Sequence, residues 1–64
     1  MENKKFAVCY THYYYNENND VVRQINCREF ILARSFEHAE RLIYARNIAG
    51  MPQEYVPYFI EEIE

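Results

Sequence analysis

The chain has 64 residues, of which 10 are acidic and 7 basic, for a formal net charge of −3; half are hydrophobic, 17% are aromatic, and there is one glycine and no tryptophan. This length accommodates one domain spanning residues 1–64, and a domain of about 60 residues buries only roughly 60% of the surface its unfolded chain exposes. A sheet, a helix and a thin core fit; an enclosed ligand pocket of roughly 300–1,000 Å³ does not fit easily.

No run of residues approaches the ~20 apolar positions that span a bilayer. The opening Met1-Glu2-Asn3-Lys4-Lys5 leads into an alternating aromatic segment, not the apolar core of a signal peptide. The sequence therefore predicts a cytoplasmic protein with no membrane partner. Hydrophobic content is too high for a disordered chain. Two cysteines are too few for a disulfide scaffold, and too few alone for structural zinc.

Phe6 to Tyr15 is rich in aromatic and β-branched residues and reads as a strand. Asn16-Glu17-Asn18-Asn19-Asp20 reads as a turn, because asparagine and aspartate bond their own backbone and tolerate left-handed angles. Val21 to Ala33 reads as a second strand, antiparallel to the first. Ser35 is the only serine and a preferred N-cap, and Glu37 falls in the first turn of the helix that follows. Phe36, Ala39, Leu42 and Ile43 form one helical stripe, and Gly50 with Pro52 predicts the stop, giving a helix over 36–49. Residues 55–64 suit either a third strand or a short helix from Pro57; the reading favours a strand, with Pro57 at an edge or a strand start. The expected fold is α+β: ββαβ, an antiparallel sheet with one helix on one face.

A five-residue turn sets Tyr15 opposite Val21, so facing residues have numbers that sum to 36. One face then carries Ala7, Cys9, Thr11, Ile25, Cys27, Ile31 and Ala33, over which a helix can approach closely. The other carries Phe6, Tyr10, His12, Tyr14, Phe30, Arg28, Asn26 and Gln24, and is left without cover. A one-residue slip exchanges the faces on one strand. Aromatic residues and arginine are enriched at interfaces, so the uncovered face reads as a binding surface. Its alternative is a solvated tyrosine-rich sheet.

Cys9 and Cys27 are expected to oppose each other as small buried hydrophobes, with no acid or histidine at metal-ligand spacing. His12 and His38 lack a nucleophile partner, Ser35 reads as a cap, and a single glycine cannot build a phosphate loop. The sequence predicts no catalytic residues, no metal and no cofactor. Residues 21–49 hold all five arginines against three acids, whereas residues 50–64 hold four glutamates and no base. Arg23 or Arg28 beside the aromatic rings would suit single-stranded nucleic acid, but the net acidity argues against it.

The junction Ile31-Leu32-Ala33-Arg34-Ser35-Phe36-Glu37-His38-Ala39 resembles the small ββαβ accessory proteins of bacteriophages and mobile elements, over about residues 21–49. The resemblance implies a stoichiometric binder that inhibits or modulates a host protein. The expected contact residues are Tyr10, His12, Tyr13, Tyr14, Tyr15, Arg28 and Phe30. Tyrosine offers large contact area at low entropy cost, and the turn asparagines offer adaptable hydrogen bonds. A single-stranded nucleic-acid binder and a structural homodimer are the alternatives.

Overall fold

A computed structural model describes residues 2–63. Strand β1 (Lys4–Tyr15) is followed by β2 (Val21–Ala33), helix α1 (Phe36–Tyr44) and β3 (Gln53–Ile63). All pairings are antiparallel and the sheet order is β2-β1-β3. The fold is the expected ββαβ arrangement, with the tail as a strand.

Asn16 organises the β1–β2 turn: its Oδ1 accepts from the backbone N–H of Asn18 at 2.9 Å and of Asp20 at 3.0 Å. Asn19 takes φ 64°, a left-handed angle that asparagine tolerates. Tyr15 faces Val21 as the turn length predicts, but a bulge shifts the register between Tyr14 and Tyr15, and Tyr14 faces Arg23. From there to Lys4↔Ala33 the partners differ by one residue from the expected register.

That single residue decides the core. β2 presents Cys27, Ile31 and Ala33 to the helix as expected, but the β1 residues beside them are Phe6, Val8 and Tyr10, not Ala7, Cys9 and Thr11. Phe6 and Val8 under the helix hide more apolar area there than Ala7 and Cys9 would, at roughly 25 cal/mol per Å². The close approach expected from small strand residues comes instead from Ala39 on the helix, which with Ile43 is fully buried. Phe36 meets Phe6 edge-on, with centroids 5.0 Å apart.

Ser35 caps α1, accepting from the His38 N–H at 3.1 Å. The helix ends at Tyr44, not at the expected residue 49, with Ala45 as its C-cap. Tertiary hydrogen bonds hold the following residues: Arg46 reaches Glu29, and Asn47 bonds both the N–H and the C=O of Tyr55, at 2.7 and 3.0 Å. Gly50, at φ 87°, serves a turn leading into β3. A second bulge lies between Cys9 and Tyr10, where Phe59 and Pro57 are the β3 partners. Pro57 thus sits on an edge strand at a bulge, where its missing N–H is tolerated.

Candidate protein-docking surface

With Phe6, Val8 and Tyr10 under the helix, the odd-numbered residues of β1 face the other way. Directly paired residues share a face, so the registers define that open face row by row: Leu32–Lys5–Ile63, Phe30–Ala7–Glu61, Arg28–Cys9–Phe59, Asn26–Thr11–Val56 and Gln24–Tyr13–Glu54. No element of the described chain covers it. Phe30, Leu32 and Phe59 are 57%, 62% and 54% exposed.

The face has two halves. In the first, small Ala7 and Cys9 form a low centre between Phe30 on one edge strand and Phe59 on the other. Arg28 spans this centre: its guanidinium lies 4.9 Å from the Phe30 ring centroid, and Nη2 lies 3.7 Å from Glu61 Oε1. In the second half, toward the hairpin, the surface is polar. Thr11 Oγ1 donates to Asn26 Oδ1 at 2.9 Å, and the Tyr15 hydroxyl donates to Glu54 at 2.8 Å. The Glu54 carboxylate, accepting that hydrogen bond, pushes the Tyr15 phenol above its ordinary range. The Tyr13 and Tyr15 ring centroids lie 6.4 Å apart, with the planes inclined by 30°.

The expected contact residues divide between the two sides of the sheet. Tyr13, Arg28 and Phe30 lie on the open face, with Tyr15 at its hairpin end. Tyr10 does not: it is 7% exposed, and its hydroxyl donates to Glu29 at 2.9 Å. His12 and Tyr14 also lie on the helix side, beyond the reach of α1. There His12 stacks on Tyr55 at 4.1 Å and meets Tyr14 at 4.3 Å, while Arg23 sits over Tyr14 at 5.6 Å. The cause is the bulge, which sends the even residues of β1 and of β2 to opposite sides. Sequence reasoning missed Leu32 and Phe59. Leu32 alternates with Phe30 and Arg28 along β2, a signal that was present; Phe59 needed the conformation of the tail.

Cys9 is on the open face and Cys27 on the helix side, so they do not oppose each other as expected; both are free. Both histidines are engaged. His12 Nε2 pairs with Gln53 Oε1 at 2.8 Å, and His38 Nδ1 accepts from the Arg34 N–H at 3.0 Å. Among the described residues no cluster of three His, Cys, Asp or Glu is placed to hold a metal, and no helix is long and apolar enough to cross a membrane.

Behind β2, Tyr10, Glu29 and Arg46 form one network. Arg46 binds both carboxylate oxygens of Glu29, and its Nη1 also donates to the Tyr10 hydroxyl at 3.3 Å. The hydrogen bonds from Arg46 hold the Glu29 carboxyl below its usual range against the opposing effect of burial, and the Tyr10 hydroxyl adds to that lowering. Burial, then the bond to Glu29, pushes the Tyr10 phenol up. This network ties the segment after α1 to the sheet and leaves the open face free of the helix.

Comparison with protein families, curated proteins and solved structures finds no match.

Proposed function

We propose that this chain is a non-enzymatic protein-binding module that docks through the open face of its sheet. The observation that carries the reading is the exposure of Phe30, Leu32 and Phe59 together on a face that no part of the described chain covers. Antiparallel sheets that face water usually do so with polar residues. Clustered large apolar side chains with an arginine among them have the composition of an interface centre. The engagement of both histidines in structural hydrogen bonds supports a binding role over a catalytic one.

The resemblance of the strand-to-helix junction to phage and mobile-element accessory proteins supports a host protein, in the host cytoplasm, as the target. Tyr13 and Tyr15 with the Asn16–Asp20 turn are the elements suited to contact it. Nucleic acid is disfavoured on this face, because Glu54 and Glu61 stand on it and Arg28 already faces Glu61.

The test is capture from nuclease-treated bacterial lysate with tagged wild type and with a Phe30→Ser/Phe59→Ser variant. A stoichiometric protein held by the wild type and lost from the variant is the expected result. Equal capture by both overturns the assignment of the face. Recovery of nucleic acid alone, lost with salt, would replace the protein partner with a single strand.

A further inference from the structure

We infer that the apolar half of the open face is occupied by a second copy of this chain, in a two-fold dimer with the sheets face to face. The inference rests on the docking reading above and names the partner of that surface.

An isologous interface must be complementary to itself, and this half-face is. Phe30 and Phe59 lie at opposite corners of a rectangle whose other corners are Arg28 and Glu61, with Ala7 and Cys9 between them. A two-fold axis along the Phe30–Phe59 diagonal sets each phenylalanine beside its own counterpart. The same operation brings Arg28 of one copy to Glu61 of the other, twice. The one cation and the one anion at these corners exchange partners, so dimer formation leaves neither charge unpaired. The small Ala7 and Cys9 leave a central depression that lets two sheets approach to about the 10 Å of stacked sheets.

The available area sets the strength of the pairing. The molecule measures 43 × 20 × 12 Å, so the apolar half of its broad side is on the order of 400 Å², about half of the ~800 Å² that each partner contributes to a standard interface, and the dimer is a weak, concentration-dependent one. The core between α1 and the sheet is also thin: its buried residues are Phe6, Val8, Tyr10, Ala33, Ala39 and Ile43. Chains this small with so little core commonly depend on oligomerisation. Pairing through the sheet edges is the other route to self-association, and the bulges at Tyr14/Tyr15 and Cys9/Tyr10, with Pro57 on β3, oppose it.

Sedimentation equilibrium of the full chain over a wide concentration range tests this. The expected mass is twice the 7.8 kDa of the chain. Arg28→Glu should weaken dimerisation by about tenfold or more, because it places two like-charged pairs across the interface. Arg28→Glu/Glu61→Arg should restore it, and Phe59→Ser should weaken it without losing the circular dichroism of the fold. A monomer at every concentration overturns the inference, as does a dimer unaffected by Arg28→Glu and Phe59→Ser. A monomer that still captures a protein through Phe30 and Phe59 overturns the second copy and leaves the docking surface standing. A monomer with no face-dependent capture removes both.

Discussion

Arg46, two residues beyond the end of α1, grips both carboxylate oxygens of Glu29 in the middle of β2. The pair joins the end of the helix to the sheet and brings the Tyr10 hydroxyl into the same network. Its members are about one-third exposed, at 35% and 36%. Discounted for that solvent screening, Arg46→Ala should cost only about 1 kcal/mol at neutral pH, measured by urea unfolding.

The same pair predicts an acid limb. The Glu29 carboxyl titrates lower in the folded state than its ordinary value of 4.5. Its stabilisation is therefore fully present above that value and is lost as the pH falls through the lower, folded one. Glu29→Gln should flatten this part of the stability profile below pH 4.5. An acid limb identical in Glu29→Gln and wild type would assign it to other carboxyls.

Tyr10 predicts the alkaline limb. Its phenol titrates above the ordinary value of 10.0, chiefly through burial. The unfolded chain gives up that proton first, so stability should fall as the pH rises through the unfolded value. Followed by phenolate absorbance, Tyr10 and Tyr15 should titrate above the ordinary phenol range. Tyr10→Phe should remove one late phenol, and Glu54→Gln should bring Tyr15 back toward the ordinary phenol value.

Phe6 and Phe30 separate core from surface. Phe6 is 1% exposed and Phe30 57%. Phe6→Ala should cost about 3–5 kcal/mol, enough to unfold a domain of this size. Phe30→Ser should change the stability of dilute protein by no more than about 0.5 kcal/mol. Thermal unfolding of both variants checks the assignment of β1's faces directly. The register summing to 36 would put Phe6 on the open face and reverse its cost.

Two asparagines carry local structure. Asn47→Ala deprives both backbone groups of Tyr55 of their side-chain partner and should cost about 1–3 kcal/mol. Asn19→Val puts a β-branched residue at φ 64° and should cost about 1–2 kcal/mol, while Asn19→Gly should be tolerated. Chemical denaturation of the three variants distinguishes these effects.

Much of the fold was legible in the chain itself, because its signals are local. The aromatic and β-branched runs gave the two hairpin strands, Asn16 the turn, and Ser35 the helix start. These follow from backbone preference and short-range hydrogen bonds, which need no distant partner. The position of Arg28 and Phe30 on the uncovered side of β2 was legible for the same reason, since alternation along one strand is local.

Three features were decided only by tertiary structure. A one-residue bulge is a small local change, yet with a side-chain period of 2 it sent Tyr10, His12 and Tyr14 to the helix side. The helix stopped at Tyr44 because Arg46 and Asn47 found hydrogen-bond partners far along the chain, in Glu29 and Tyr55. Phe59 joined the open face only when β3 paired with β1 through a bulge at Pro57. Composition sets how much apolar surface the chain must hide, and strand register decides which residues are left outside.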